Sequence, residues 1–313
     1  MDADAPTHGD CPRVSILTAA HNRSNVLRLA IQSVQRQQYT NWELWVGCDG
    51  CSDDSAEVAE SFADPRIRVV VHAPRIGNQF GVANTLLAHA RGPLIAYLNQ
   101  DDLWFPEHLA LAVDALAEAE LYLGRVATLR GDGPVIGPAH FDPRQHYPMS
   151  SRVLRRAALE RIGPYRDPLS LIAGSADEWL FRAWRRGLRI HVSQTLTVIK
   201  INSVLQANSY RARPDELHRE LVAQGLDEAL RQQLLDAAER RLREAPPRPP
   251  RWRPRSLAEW RATAHTVLIG FLSRHLQRLA IPLGVPPQSV SRWLRGQRRG
   301  DFQRWLNRER GSD

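Results

Sequence analysis

Adjacent acidic residues follow a short apolar segment near the middle of the sequence. The segment 94–98 reads LIAYL and runs directly into Asn99, Gln100, Asp101 and Asp102. An apolar strand that ends this way presents carboxylates at the carboxyl edge of a sheet, where open α/β sheets bind ligands. Neighbouring carboxylates repel each other unless a cation or a hydrogen-bond network compensates their charge. A divalent cation that also holds a diphosphate would do so, which indicates metal-assisted chemistry on a phosphorylated substrate.

The same residues also have a plainer interpretation. Asp101 or Asp102 could cap a following helix from a solvated turn, because aspartate is a favoured residue at helix N-termini. The motif alone is compatible with both a metal site and a helix cap, so the surrounding elements must distinguish them.

Composition restricts the class of protein. The 313-residue chain has 42 lysine and arginine residues against 34 acidic ones, which gives a net charge of +8. Lys200 is the only lysine, and arginine is concentrated after residue 240. A basic region of this kind can bind nucleic acid, an anionic membrane surface or an acidic substrate. Cys11, Cys48 and Cys51 make no disulfide framework, and the N-terminus has no apolar signal-peptide core, so we expect a reducing, cytoplasmic location.

Strands and helices are predicted to alternate over the first hundred residues. Short apolar runs typical of buried parallel strands lie at 14–18, 42–47, 67–72 and 94–98. Apolar residues at helical spacing, preceded by capping residues, predict helices that follow Ser24 or Asn25, follow Ser52 or Asp53, and span 81–90. The alternation predicts an α/β fold with a mostly parallel sheet flanked by helices.

The remaining segments are predicted less regularly. Helical patterns lie at 106–121, 151–163, 175–186 and 214–242, a strand pattern at 189–201, and no element is assigned to 129–141. The proline- and arginine-rich run 246–255 indicates an extended linker, followed by short basic helices that carry Trp260, Trp293 and Trp305. We therefore expect an α/β domain at 1–213, a charged helix and linker at 214–255, and a basic helical appendage at 256–313.

Four segments together resemble one protein family. They read VSILTAAHNR at 14–23, WELWVGCDGCSDDS at 42–55, GVANTLLAHARG at 81–92 and LNQDDLW at 98–104. In order and spacing they resemble the amino-terminal half of inverting glycosyltransferases of family 2, over about the first two thirds of the chain. The resemblance implies a GT-A-like sheet and transfer of a sugar from a nucleotide-diphosphate donor to a hydroxyl acceptor.

The resemblance also implies roles for individual residues around the donor. It places the base and ribose against five loop residues, namely Thr18, Ala19, Ala20, His21 and Asn22. Asn84 matches an asparagine that faces the nucleotide, and Asp101, which follows Gln100, matches the usual Mn²⁺ or Mg²⁺ ligand. Two positions depart from the family pattern: Cys48 replaces the acid before Asp49, and Asn99 replaces an acid that contacts ribose. An asparagine amide can still bind a hydroxyl, so we expect ribose contact and metal binding to be possible.

A base is implied at the start of a later helix. The segment DEWLFR at 177–182, with Gly187 behind it, resembles the family's acidic helix start, one residue away from the commonest spacing. Asp177 is predicted to accept the proton of the acceptor hydroxyl, with Glu178 as the alternative. Both acids could instead only stabilise the helix N-terminus.

The CDGC segment and two histidines are weaker candidates for functional residues. The CDGC segment at 48–51 offers at most two zinc ligands, and a redox role competes with the glycosyltransferase resemblance. His140 and His146 could contact a metal or a diphosphate, although lone histidines in unassigned loops are commonly incidental.

The basic tail raises a second class of function. The segment 279–300 resembles a helix-turn-helix, so a DNA-binding module is the alternative to a transferase. Pro282, Pro286 and Pro287 crowd its turn, which disfavours nucleic acid as a partner. A basic amphipathic face with tryptophans suits an anionic membrane surface, and packing on the catalytic domain is a further alternative. The primary prediction is an enzyme that acts on a bacterial surface glycan or its lipid-linked precursor, peripherally at the membrane.

Overall fold

A computed structural model describes residues 13–172, 174–201, 215–244, 276, 281–282, 285–298, 300–301 and 304. The strands are β1 Val14–Ala20, β2 Trp42–Asp49, β3 Ile67–His72, β4 Leu94–Tyr97, β5 Asp102–Trp104, β6 Leu121–Arg130, β7 Gly133–Ile136, β8 Arg152–Arg155 and β9 Ile190–Ile201. The helices are α1 Ser24–Gln35, α2 Ser55–Glu60, α3 Gln79–Leu86, α4 His108–Ala115, α5 Arg156–Ile162, α6 Ser175–Arg185, α7 Glu216–Gln224, α8 Glu228–Glu244 and α9 Pro287–Leu294.

The first four strands form the parallel part of a nine-stranded sheet. Their order is β3-β2-β1-β4, with Val14 paired to Trp42 on one side and to Leu94 on the other. Both faces of β1 are covered, since nearly all of its residues are buried, as expected for a central parallel strand. The alternation predicted from the sequence is confirmed here. Parallel pairing brings the carboxyl ends of β1, β2 and β4 to one edge.

Antiparallel pairs make the other half of the sheet, which continues from β4 as β8-β6-β9-β5, with β7 beside β6. The β4–β8, β8–β6 and β5–β9 pairs are antiparallel, whereas β6 and β9 are parallel. The sheet is therefore mixed, and this half brings the segments before β8 and α6 to the edge where β4 ends.

Three sequence-based assignments in this half differ from the structure. The segment 151–163 was predicted as one helix, but Arg152–Arg155 is a strand between β4 and β6, and only Arg156–Ile162 is helical. A strand of four residues is too short for its spacing pattern to separate it from a helix. The helix predicted at 106–121 ends at Ala115, and the unassigned run 129–141 contains β7 and the end of β6.

The charged stretch that begins after residue 214 forms two helices, α7 and α8, which separate at Gly225. Gly225 has a φ of 103°, a conformation that glycine adopts readily. Apolar residues of these helices pack in one cluster with residues of β5 and β9. The cluster includes Leu103, Phe105, Ile199, Leu221, Val222, Leu226, Leu230 and Leu234. This stretch is thus part of the packed α/β unit.

The described part of the C-terminal region lies against the same unit. The Arg185 guanidinium donates to the carbonyl of Ile281 at 2.7 Å, and the Gly300 N–H donates to the carbonyl of Leu171 at 3.0 Å. Within the described residues, no helix combines the length and apolar character needed to cross a membrane. The linker predicted at 246–255, Cys11, Trp260 and Trp305 lie outside the described residues, as does part of the segment 279–300.

Candidate functional site

Two connected cavities open where the strand ends meet. The larger has a volume of about 560 Å³, and its walls come from the tip after β4, the loop before β8, the start of α6, strands β6 and β7, and the C-terminal segment. The smaller, of about 30 Å³, is lined by the ends of β1 and β2. Gln79, Asn99 and Asp101 line both cavities. This is the edge at which an open α/β sheet binds ligands, and the larger volume is typical of a small-molecule site.

The loop after β1 is tied to both neighbouring strand ends. His21 Nδ1 lies 2.8 Å from the carbonyl oxygen of Asp49, and the His21 N–H donates to Gln100 Oε1 at 2.9 Å. Ala19, Ala20, His21 and Gln100 line the smaller cavity. The other two predicted loop residues, Thr18 and Asn22, line neither cavity. Thr18 is buried, and Asn22 Oδ1 accepts a hydrogen bond from the Ser52 N–H.

Cys48 and Asp49, the last two residues of β2, have different surroundings. Asp49 lines the smaller cavity, and its carboxylate accepts from the N–H groups of Ile76 at 2.6 Å and Gly77 at 2.9 Å. Cys48 is buried behind it and lines neither cavity. A hydrogen bond with Cys51 and burial raise the pKa of Cys48, while that hydrogen bond lowers the pKa of Cys51 to about 7.

Asn84 does not lie where the resemblance places it. It occurs well inside α3, where its amide donates to the carbonyl of Tyr165 at 2.8 Å and accepts from the Tyr165 N–H at 3.1 Å. It lines neither cavity. Gln79 and Phe80, at the start of α3, line the larger cavity instead. The helix was predicted to begin at residue 81, so Gln79 and Phe80 were left outside it.

The acidic tip separates its two carboxylates. Asp102 is fully buried as the first residue of β5, and it accepts from Asn99 Nδ2 at 2.8 Å and from Ser150 Oγ at 2.5 Å. Lys200 Nζ lies 3.9 Å from the same carboxyl group. Burial raises the pKa of Asp102 despite the opposing effect of Lys200. Asp102 therefore begins a strand and supports Asn99, so the helix-capping interpretation is wrong for it.

Asp101 faces the cavities from the other side of the tip. Its Oδ2 lies 3.2 Å from Nη1 of Arg23, a fully buried residue whose backbone φ is 73°. His218 Nε2, from α7, lies 3.0 Å from the backbone carbonyl oxygen of Asp101. Burial lowers the pKa of His218. Sequence reasoning missed both supporting residues, although Arg23 stands in the Asn-Arg pair of the first motif.

The side chains near the tip offer few ligands for a metal ion. Across the described ranges, no three His, Cys, Asp or Glu side chains are grouped so as to hold a metal ion by themselves. Asp101 nevertheless presents a carboxylate where the two cavities join. Magnesium-type cations are commonly held by one or two carboxylates plus substrate phosphates. The residues present fit a cation that arrives with a diphosphate.

The two acids at the start of α6 have different surroundings. Asp177 lines the larger cavity with a side chain only 4% exposed, and its Oδ1 lies 2.7 Å from His146 Nδ1. Glu178 is ion-paired with Arg166 at 3.2 Å and Arg182 at 3.1 Å, and it lines neither cavity. Burial raises the pKa of Asp177, but the His146 charge and hydrogen bond, with smaller effects of Arg152 and Arg292, lower it overall.

A buried arginine fixes these walls relative to each other. Arg152, in β8, is fully buried, and its Nη2 donates to the carbonyl oxygens of Tyr147 and Ala176, each at 2.9 Å. These carbonyls flank the two residues that meet in the cavity, His146 and Asp177. The site is therefore held by backbone contacts that the sequence pattern does not reveal.

Comparison with known proteins adds an independent line of evidence. Residues 15–167 match the family model for glycosyl transferase family 2. The chain is 34% identical over 103 residues to WfgD of Escherichia coli, a UDP-Glc:alpha-D-GlcNAc-diphosphoundecaprenol beta-1,3-glucosyltransferase, over 33% of this chain and 40% of that protein. It is 30% identical over 115 residues to the putative glycosyltransferase EpsE of Bacillus subtilis, over 36% of this chain and 41% of that protein. The chain thus spans about two fifths of the length of these relatives.

Solved structures agree on the fold. TarS of S. aureus in complex with UDP-GlcNAc is similar over 91% of this chain and 92% of that chain, with a TM-score of 0.55 and 15% identity. The mannosyltransferase PcManGT of Pyrobaculum calidifontis, in complex with GDP-Man and Mn²⁺, covers 92% of this chain and 76% of that chain, with a TM-score of 0.50 and 17% identity. The predicted GT-A-like fold is confirmed. The comparisons give no support to the DNA-binding alternative.

Proposed function

From the match of residues 15–167 to glycosyl transferase family 2, we propose that the chain transfers a sugar, with inversion, from a nucleotide-diphosphate donor to a hydroxyl acceptor. One observation carries the proposal. A single cavity of about 560 Å³ is lined both by Asp101, at the end of the parallel strands, and by Asp177, at the start of α6. A site for a diphosphate and a site for a base therefore share one cavity.

The nucleoside end of the donor is assigned to the side of the larger cavity that adjoins the smaller one, where both are lined by Gln79, Asn99 and Asp101. Ala19, Ala20 and His21 offer it a backbone loop and an imidazole face, and Asp49 keeps the adjoining 75–77 loop in place. Either uracil or guanine remains compatible with these groups, since the related structures were solved with UDP-GlcNAc and with GDP-Man.

Asp101 is assigned to Mn²⁺ or Mg²⁺ that accompanies the diphosphate. When bound, such an ion supplies charge neutralisation to the departing diphosphate. Arg23 holds the Asp101 carboxylate from the buried side at 3.2 Å, so that the side chain is oriented before the donor arrives. Asn99, held by Asp102, is placed beside it for a ribose hydroxyl.

Asp177 is assigned as the carboxylate on which base catalysis depends. In the step itself, the acceptor O–H bond breaks, its proton passes to the base at this wall of the cavity, and its oxygen bonds to the anomeric carbon. The bond from that carbon to the phosphate oxygen breaks, and its electron pair leaves with the nucleoside diphosphate. Attack from the side opposite the leaving group inverts the anomeric centre. Glu178 is less suited to this role because two arginines pair with it.

The proposed acceptor is a glycan or a lipid-linked sugar used in bacterial surface polysaccharide synthesis. WfgD acts on a diphosphoundecaprenol-linked sugar, and WcaA of Escherichia coli, 32% identical over 103 residues, is named for colanic acid biosynthesis. A glycan or lipid-linked acceptor fits a cavity whose wall includes the basic C-terminal segment, through Arg292 and Arg298. Attraction of these arginines to anionic lipid would place the enzyme peripherally at the cytoplasmic membrane face.

Donor binding tests the proposal directly. We expect UDP or GDP to raise the melting temperature in the presence of Mn²⁺ and less without it, because a ligand that binds only the folded state stabilises it by mass action. Asp101→Asn should lose the Mn²⁺-dependent part of the shift. Asp132→Asn is the matched control, since Asp132 pairs with Arg241 on the surface. Failure of both nucleotides to shift wild-type melting would contradict the proposal.

A further inference from the structure

His146 contacts the predicted base at the wall of the larger cavity. The side chain of His146 is 56% exposed, whereas that of Asp177 is 4% exposed, and the two are joined by a 2.7 Å contact from Nδ1 to Oδ1. Both residues line the larger cavity. An acceptor that enters the cavity therefore meets an exposed imidazole beside a nearly buried carboxylate.

Building on the proposed function, we infer that His146 itself takes the proton of the acceptor hydroxyl and that Asp177 acts through it. A carboxylate at 2.7 Å from Nδ1 favours the tautomer that carries hydrogen on Nδ1, which leaves Nε2 as the proton acceptor. The same division of labour between a buried carboxylate and an imidazole operates in catalytic triads. Asp177 is then a positioning residue, and His146 is the catalytic one.

The reaction balances with no additional reactant. The hydroxyl proton passes to Nε2 of His146 while the hydroxyl oxygen bonds to the anomeric carbon. The electron pair of the bond between that carbon and the phosphate oxygen departs with the nucleoside diphosphate. The imidazolium that forms is stabilised by the adjacent Asp177 carboxylate, and its exposure lets the proton pass to water after the transfer.

The surroundings keep this pair in the required charge state and place. Asp177 on α6 is the acid in contact with His146, and the charges of Arg152 on β8 and Arg292 on α9 help keep it ionised. In the loop that carries His146, Asp142 is paired with Arg144 at 2.8 Å. Arg152 binds the carbonyl next to His146, so the imidazole sits on a loop anchored to the buried sheet.

Variant kinetics separate this inference from direct catalysis by Asp177. The assay measures nucleoside diphosphate release from UDP-glucose, UDP-GlcNAc or GDP-mannose, with water or octyl glucoside as acceptor. His146→Gln should lower kcat by about 100-fold, the usual scale for loss of a general base, with little change in the KM of the donor. His140→Gln, in the same loop but exposed and outside the cavity lining, is the control and should behave as wild type.

Two readouts distinguish chemistry from structural support. Added imidazole should restore part of the activity of His146→Ala, and the double variant with Asp177→Asn should be no slower than the slower single variant, because the residues act as one unit.

Near-normal activity of His146→Gln beside a large loss in Asp177→Asn would overturn the inference and leave Asp177 as the direct base. Lack of rescue by imidazole would also count against it. Absence of sugar transfer or donor hydrolysis by the wild-type protein is a different result, because it would overturn the proposed function itself.

Discussion

Asp177 and Glu178 are neighbours in the sequence, yet they belong to different parts of the molecule. Successive helical residues point about 100° apart, so only one of two adjacent acids can face a given cavity. Asp177 takes that position, and Glu178 lies in a cluster with Arg166 and Arg182. The one-residue ambiguity in the sequence comparison is thus one that geometry can address.

We predict that Asp177→Asn lowers the transfer rate by about 100-fold or more, because the amide can neither accept the proton nor support an imidazolium. Glu178→Gln should leave kcat close to wild type and lower the melting temperature, since two arginines lose their charged partner. Initial-rate kinetics and thermal melting of both variants measure this. The reverse pattern, with loss of activity only in Glu178→Gln, would assign the base to Glu178.

The residues that sequence reasoning identified are those attached to a pattern. Asp101, Asp49 and Asp177 follow strands or begin a helix, and each lies at a cavity wall. Arg23 was missed, and His146 was considered only as a metal or diphosphate contact, because their partners lie 78 and 31 residues away in the chain. A single sequence contains no signal for such pairs.

Glu43 contributes to stability at the edge of the sheet opposite the site. Glu43, in β2, is buried and accepts from Ser15 Oγ and the Arg91 N–H, each at 2.7 Å. Burial raises the pKa of Glu43, but these bonds and the Arg91 charge lower it overall. The carboxylate thus joins β1, β2 and the turn before β4.

We predict a pH-dependent stability contribution from Glu43. Its folded-state pKa lies below the ordinary value of 4.5, so ionised Glu43 stabilises the fold above that pH, and the stabilisation is lost as the pH falls through the folded-state pKa. Urea unfolding should show Glu43→Gln less stable than wild type at pH 7, with a smaller difference at pH 4. A difference that grows on acidification would contradict the assignment.

Strand β8 and helix α6 are connected through one side chain, Arg152. The strand itself was predicted as helix, since a four-residue pattern is compatible with both structures. Its place in the middle of the sheet depends on β4 and β6, which are more than 20 residues away along the chain. Long-range pairing therefore decided what local sequence left open.

Replacement of Arg152 should disturb stability and the site together. Arg152→Lys loses the fork that reaches both Tyr147 and Ala176, and we expect a loss of about 3 kcal/mol, the upper range for a hydrogen-bonded buried charge. Activity should fall because His146 and Asp177 lose their common support. Arg243→Lys, at an exposed ion pair with Glu239 on α8, is the control for urea unfolding and for rates.

At the scale of the whole molecule, the parallel half of the sheet could be predicted from the sequence. The packing of α7, α8 and the C-terminal segment against the rest of the molecule could not. Strand and helix alternation up to residue 98 is local, whereas α7 and α8 read as a charged stretch with few apolar residues. Their apolar positions nevertheless complete the cluster around Phe105, and His218 reaches the tip beside Asp101. The C-terminal segment likewise supplies part of the cavity wall through Arg292.

Two truncations follow from this division. A chain that ends at residue 244 should fold and keep Mn²⁺-dependent diphosphate binding, because both the tip and the helices that cover it remain. Its sugar transfer should fall more than its donor binding, since the wall that contains Arg292 is gone. A chain that ends at residue 213 removes five buried apolar side chains of α7, α8 and their connection, namely Leu221, Val222, Leu226, Leu230 and Leu234.

Burial of five such side chains stabilises by about 10 kcal/mol, which is as large as the whole stability of a typical domain. The shorter chain should therefore fail to fold, as seen by circular dichroism and by loss of a cooperative melting transition. A stable, nucleotide-binding 1–213 chain would show that α7 and α8 are dispensable. An insoluble 1–244 chain would show that the C-terminal segment is required for folding as well as for the cavity wall.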